Sequence, residues 1–76
     1  MLSTIIRTRY AGPTNTRGSR IIVSWSGRRR VIPFDYAATY PHVVAVSAAL
    51  GVDADVWPRG VDRKTGGYVF LAPVLL

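Results

Sequence analysis

Mostly apolar side chains alternate with a set that carries two arginines along the first ten residues of the chain. One set comprises Leu2, Thr4, Ile6, Thr8 and Tyr10, and the other contains Ile5, Arg7 and Arg9. Successive side chains of a strand point to opposite faces of a sheet, so this period of two predicts a strand with one buried face and one basic, solvated face. A chain that begins in this way is constrained to build a half-buried sheet.

Two further strands are predicted between residues 19 and 34. In the first, one face carries Ile21, Val23 and Trp25, and the other carries Arg20, Ile22 and Ser24. Ser26-Gly27 is predicted as a two-residue hairpin turn. The next strand runs from Arg28 to Phe34, and Pro33 indicates that its end lies at a sheet edge, because proline cannot donate to the ladder.

A helix is predicted at about residues 39–50. Its apolar stripe recurs at three- and four-residue steps and comprises Tyr36, Tyr40, Val43, Val46, Ser47 and Leu50. Thr39 is a candidate N-cap, Pro41 is tolerated in the first turn, and Gly51 stands where a C-cap glycine belongs.

Residues 52–57 and 67–73 predict two last strands, joined by the polar turn RGVDRKTG. The order is then βββαββ. The fold class is therefore α+β, with a mostly antiparallel sheet of about five short strands and one helix packed on one face. A chain of 76 residues is expected to form a single small domain, residues 1–76.

The charge balance is strongly positive. Ten Lys and Arg residues, nine of them Arg, face four Asp and no Glu, which gives a net charge of +6 and a pI near 10.9. Such an excess attracts nucleic acid, an anionic surface or an acidic protein. The rigid fork of Arg suits bidentate contact with phosphate or carboxylate.

The predicted strands place several arginines on one basic face. Arg7, Arg9 and Arg20 are expected to project from the same side of the sheet, and Arg28 and Arg30 to join them from the third strand. Arg29 must point differently from its neighbours. The candidate polyanion-binding residues are Arg7, Arg9, Arg17, Arg20, Arg28, Arg29 and Arg30. The alternative is an ordinary solvated face whose charges only maintain solubility.

No catalytic constellation is visible in the sequence. The chain has no cysteine, and its one histidine, His42, is expected to be solvent-exposed or to cap the helix. Asp53 and Asp55 lack the later ligands of a calcium loop and are interpreted as turn carboxylates, paired with Arg59 or Arg63. We predict a non-enzymatic protein with no metal and no cofactor.

The sequence offers no membrane segment or signal peptide. The longest uncharged run, residues 36–52, is too short to span a bilayer. Arg7 and Arg9 stand where the apolar core of a signal peptide would run. We therefore expect a soluble, cytoplasmic protein with no membrane partner.

The predicted helix carries no charge. Its outward side would present Val44, Ala45, Ala48 and Ala49, where a surface helix normally has charged residues. Val44, Ala45 and Ala48 are therefore candidates for self-association or partner binding. Packing of the apolar tail, residues 71–76, over the helix is the competing explanation.

The loop before the second strand carries a resemblance. The order TxYxGPTNTRGSRI, from Thr8 to Ile21, resembles the N-terminal signature of small uncharacterised proteins encoded by bacteriophages and other mobile elements. VIPFDYA at 31–37 and GGYVF at 66–70 resemble later segments of that family, whose helix is more charged. The resemblance implies a phage or mobile-element origin and an accessory role. In this loop, Gly18 is predicted to adopt a positive φ.

Three functions follow as hypotheses. The first is a phage or mobile-element accessory protein that binds a polyanion, above all nucleic acid, through its basic face. The second is a host-directed inhibitor, with an anti-defence or host-takeover role, that docks on an acidic host protein. The third is a small homo-oligomeric structural protein.

Overall fold

A computed structural model describes residues 3–16, 18–64 and 66–74 of the chain. Within them, five antiparallel strands form one sheet in the order β3-β2-β1-β5-β4, and one helix packs against one face. The elements are β1 (Thr4–Ala11), β2 (Arg20–Trp25), β3 (Arg28–Pro33), α1 (Pro41–Leu50), a 3₁₀ helix (Ala54–Val56), β4 (Arg59–Asp62) and β5 (Gly67–Ala72). The predicted α+β class is confirmed.

The first three strands agree with their predictions to within three residues at each end among the described residues, and Leu2 lies outside these. Ser26 and Gly27 have φ values of 47° and 74°, which are the left-handed conformations of a two-residue type I′ turn. This turn pairs Trp25 with Arg28. β3 is an edge strand that ends at Pro33, as predicted.

The chain after α1 differs from its prediction. Residues 52–57 form no strand, because the Asp53 carboxylate accepts a hydrogen bond from the backbone N–H of Asp55 and starts the 3₁₀ helix. Such a side-chain acceptor offers the backbone a local alternative to sheet pairing. The fourth strand, Arg59–Asp62, lies instead inside the predicted turn and pairs with β5.

The ends of α1 are partly as predicted. Pro41 occupies the first turn, and Gly51, with φ 71°, forms the C-cap and donates its N–H to the carbonyl of Ser47. Thr39 is not the N-cap, which is Tyr40 without a side-chain capping bond. Tyr36 and Tyr40 precede the helix and are 76% and 61% exposed, so their prediction as buried stripe residues was wrong.

The buried side of α1 consists of Val43, Ala45, Val46 and Ala49. The prediction that Ala45 and Ala49 point outward was therefore wrong. Small alanine side chains let a helix backbone approach the sheet closely. An uncharged helix gives no polar contrast that would show from sequence which side is buried.

The core lies between α1 and one face of the sheet. Its largest fully buried side chains are Phe70, Ile6, Ile21, Val23 and Val46. Burial of each of these stabilises the fold by about 1.5–3 kcal/mol. Tyr10 was predicted to join them but is 45% exposed. Its hydroxyl lies 2.9 Å from Oγ of Ser19, and its ring meets Phe34 edge-on.

The loop between β1 and β2 contains Gly18, for which a positive φ was predicted. Gly18 does not have a positive φ, so that prediction was wrong. A Cβ added at Gly18 would have no heavy atom within 4 Å. Neither the backbone conformation nor the space around Cα therefore requires a glycine at position 18.

The face of the sheet opposite α1 is called the open face below. Its side chains follow from the strand register and are Ile5, Arg7, Arg9, Arg20, Ile22, Ser24, Arg29, Val31, Val69 and Leu71. No described helix covers this face.

Candidate nucleic-acid interface

Arginines from three neighbouring strands meet on the open face. Arg7 of β1 and Arg29 of β3 both pair with Ser24 of the intervening β2, so the three residues form a row across the sheet. Strands are about 4.8 Å apart, which puts the backbones of Arg7 and Arg29 about 10 Å from each other. Arg9 lies two residues along β1 from Arg7, a step of about 7 Å.

These side chains border a shallow depression of about 250 Å³. It is lined by Arg7, Thr8, Arg9, Ile22, Ser24, Arg29 and Asp62. Two residues of β2 form its floor. Ser24 contributes a short polar side chain and Ile22 an apolar one. The arginines therefore stand around a region that a phosphate group or a sugar ring can approach.

The open face has little acidic compensation. Asp62 lies 3.8 Å from Arg7; the Asp62 side chain is 14% exposed and the Arg7 side chain 62%, so this long pair with one partner in solvent stabilises only weakly. Asp35 and Asp53 accept backbone hydrogen bonds in their own turns. Asp55 pairs with Arg59 at 3.4 Å, as predicted for one of these carboxylates.

Several guanidinium groups make no internal bond. Within the described ranges, the side chains of Arg9, Arg28, Arg29 and Arg30 form no hydrogen bond or ion pair. A guanidinium carries five donors, and all of them stay available to a ligand. The positive charge of this region is therefore not neutralised within the described chain.

Arg20 has a partly structural role. Its guanidinium donates to the carbonyls of Gly12 and Gly18, both at 3.4 Å, and so links the two ends of the loop before β2. It lies on the open face, as predicted, but at the end of the sheet. Arg17 lies outside the described residues.

Arg28 and Arg30 do not join the open face. They pair with Trp25 and Val23, whose side chains are buried on the helix side of the sheet, so both arginines project on that side. The prediction that they share a face with Arg7 was therefore wrong, and Arg29 occupies the position expected for them. The sequence contained the signal, because a two-residue turn makes its flanking residues pair and share a face.

His42 is half-buried against the sheet rather than fully exposed at a helix cap. Its Nδ1 is 2.7 Å from Oγ1 of Thr8, and its ring lies 4.9 Å from the ring of Tyr68. Burial lowers the pKa of His42 below its usual 6.5, because it disfavours the charged imidazolium. The small cavity beside it, about 60 Å³, is lined by Tyr40, Arg59 and Tyr68 among others.

The candidate association surface on α1 is narrower than predicted. Val44 is 40% exposed and Ala48 is exposed, whereas Ala45 is 1% exposed and faces the sheet. The proposed lid over this strip is not seen in the described tail, because Leu71 lies on the open face and Val74 is 49% exposed. Leu75 and Leu76 lie outside the described residues.

Two other features are absent from the described residues. No three His, Asp or Glu side chains in these ranges come together as metal ligands. No described helix is long and apolar enough to cross a membrane.

Comparison with known proteins gives no match: no family model, curated protein or solved structure is similar to this chain. The resemblance to phage and mobile-element proteins stays a prediction. The geometry of the site is therefore the basis for the functional argument.

Proposed function

We propose that the protein binds nucleic acid through the open face, with Arg7, Arg9 and Arg29 as phosphate contacts and Arg20 at the end of the same surface. The observation that carries this proposal is the row formed by Arg7, Ser24 and Arg29 beside Arg9. Its guanidinium groups are uncompensated apart from the weak pair of Arg7 with Asp62.

The binding would be independent of base sequence. Arginine contacts to phosphate supply affinity and position, whereas sequence is read by side chains that reach base edges in a groove. The open face is a sheet surface, and β2 at its centre contributes the short or apolar side chains Ile22 and Ser24 between the arginines. Affinity would thus depend on charge and fall with salt.

The resemblance of Thr8–Ile21 to phage and mobile-element proteins supports a role as an accessory protein of such an element. It would then act in the cytoplasm of the bacterial host cell. The absence of catalytic groupings in the sequence supports a binding role rather than an enzymatic one.

A second candidate is docking on an acidic protein surface. The observation that favours it is the exposure of apolar side chains on the open face, where Ile5, Val31 and Leu71 are 54%, 43% and 45% exposed. Apolar groups beside arginines are typical of protein interfaces. A host-directed inhibitor would use the same face.

The test compares salt dependence of binding between matched charge variants. We expect the wild type to bind a fluorescein-labelled duplex, and Arg7→Gln/Arg9→Gln to lower the magnitude of the log-log salt slope by about 1.8, about 0.9 for each lost phosphate contact. Arg63→Gln/Lys64→Gln is the control, because it removes the same number of exposed charges from the turn after β4, which contributes no residue to the depression.

Absence of binding to any DNA or RNA at low salt would overturn the proposal. Equal slopes for the open-face variant and the control would overturn the assignment of Arg7 and Arg9. A pull-down from host lysate that retains an acidic protein after nuclease treatment, with no nucleic-acid binding, would favour the second candidate.

A further inference from the structure

A second basic surface lies on the helix side of the sheet, and we call it the edge cleft. It has a volume of about 510 Å³ and is lined by Trp25, Arg28, Arg29, Arg30, Ala49 and Leu50. α1 ends at Leu50, so the edge of the sheet beyond it is left open. Ligand pockets in proteins commonly measure about 300–1,000 Å³.

The arginines of the edge cleft have no acidic residue beside them in its lining. Three of the six residues that line it are arginines and none is acidic; Arg28 and Arg30 project on its side of the sheet, whereas Arg29 borders it from the edge strand and projects on the open face. The guanidinium groups of all three form no hydrogen bond or ion pair in the described part of the chain. Arg28 and Arg30 lie on one face of an exposed strand, about 7 Å apart along it, so their charges repel each other. An anionic ligand would remove that repulsion.

The carbonyl end of α1 is the competing explanation for these charges. Its partial negative charge attracts a cation placed within the last turn. The attraction is confined to that turn, however, and it does not account for Arg29, which projects from the opposite face.

The edge cleft continues into the open face across β3. Arg29 belongs to the row with Ser24 and Arg7, while its neighbours Arg28 and Arg30 project on the helix side. Positive charge therefore runs from the open face, over the edge strand and into the cleft. A ligand that meets all of these arginines has to fold around one edge of the sheet.

We infer that the nucleic acid bound by this protein is single-stranded and that it folds over β3, with phosphates on both faces of the edge. A duplex is stiff over about 150 base pairs and can lie along one face only. A single strand bends readily, and its unpaired bases can contact the apolar wall of the cleft, which is formed by Leu50 and by the exposed edges of Trp25 and Ala49, each 8% exposed. This inference depends on the proposed function and specifies its substrate.

The experiment measures salt slopes on oligo(dT) and on a duplex with the same number of phosphates. For Arg28→Gln/Arg30→Gln, we expect the slope on oligo(dT) to fall in magnitude by about 1.4, about 0.7 for each contact, and the slope on the duplex to stay unchanged. Arg63→Gln/Lys64→Gln is again the control and should change neither slope. The open-face variant Arg7→Gln/Arg9→Gln should lower both.

A second measurement does not depend on the arginine variants. In Trp57→Phe, Trp25 is the only tryptophan, and oligo(dT) should change its fluorescence while the duplex does not. An acidic competitor such as polyglutamate should displace oligo(dT) only at far higher concentration.

The outcomes separate this inference from the proposed function. If the wild type binds neither ligand, the proposed function fails and the inference fails with it. If it binds but Arg28→Gln/Arg30→Gln changes both slopes equally or neither, the inference alone is overturned. A lower melting temperature of that variant with an unchanged oligo(dT) slope would assign the arginines to the end of α1, and equal competition by polyglutamate would assign the cleft to an acidic peptide.

Discussion

The hydroxyl oxygen of Thr8 lies 2.7 Å from Nδ1 of His42, and this contact joins the buried face of β1 to the first turn of α1. The backbone N–H of Tyr68 donates to the same oxygen at 2.9 Å. The Thr8 hydroxyl can therefore donate its own proton to Nδ1, provided that His42 is neutral. This arrangement connects α1, β1 and β5 through one side chain.

The first prediction concerns pH. Burial lowers the pKa of His42 in the folded state, so the unfolded chain binds the extra proton more readily. The stabilisation of the folded state by neutral His42 is then fully present above a pH of about 6.5, and it is lost as the pH falls through the lowered pKa. We expect the melting temperature to decrease between pH 7.5 and pH 5, as measured by circular dichroism.

His42→Gln is the control for this pH dependence, because a glutamine oxygen can still accept from Thr8 and does not titrate. Its melting temperature should change less over the same range. An equally steep decrease in His42→Gln would assign the effect to other groups.

The second prediction concerns Gly67. A Cβ at this position would overlap the carbonyl oxygen of Thr8 and lie 3.2 Å from Cα of Arg9, because β5 begins directly against β1. We expect Gly67→Ala to destabilise the protein by about 1–3 kcal/mol, the usual cost of forcing extra atoms into a packed site. That loss corresponds to about 4–8 °C in melting temperature for each kcal/mol.

Gly60→Ala is the matched control in the neighbouring strand. A Cβ at Gly60 meets no heavy atom within 4 Å, so its effect should stay within about 0.5 kcal/mol. The close approach of β5 to β1 would be contradicted by equal melting temperatures of the two variants.

The third prediction distinguishes the two sides of α1. Ala45 is 1% exposed against the sheet, so Ala45→Glu would bury an unpaired carboxylate and should destabilise by about 3 kcal/mol or more. Ala48 is exposed beside Val44, so Ala48→Glu should change the stability of a monomer by no more than about 0.5 kcal/mol. Thermal melts of both variants test this.

Light scattering on the same proteins addresses self-association. If Val44 and Ala48 form a seam between copies of the chain, Ala48→Glu should lower the measured mass, because a seam tolerates an unpaired carboxylate poorly. A monomer in both wild type and Ala48→Glu would exclude that seam.

The fourth prediction concerns two glycines at loop positions. Gly18→Val should be tolerated within about 0.5 kcal/mol, because this residue has neither a positive φ nor a crowded Cβ position. Gly51→Val should cost about 1 kcal/mol or more, because Gly51 has φ 71° at the C-cap of α1. A reversed order of the two melting temperatures would refute this assignment.

The sequence by itself determined the elements whose signals are local. The alternation in β1 and β2, the Ser26-Gly27 turn, and the positions of Pro41 and Gly51 all act within a few residues of chain. They were sufficient to predict the α+β class and the placement of Arg7, Arg9 and Arg20 on one face. The same turn also contained the register that moves Arg28 and Arg30 to the other side.

The tertiary structure alone decided what depends on contacts between distant segments. The uncharged α1 had no pattern to show that Ala45 faces the sheet, and β4 formed from a polar segment because β5 offered it backbone partners. His42 and Thr8 are 34 residues apart, so only packing brings them together. The edge cleft likewise exists because α1 ends at Leu50 beside a strand that lies 17 to 22 residues earlier in the chain, a separation that no local pattern encodes.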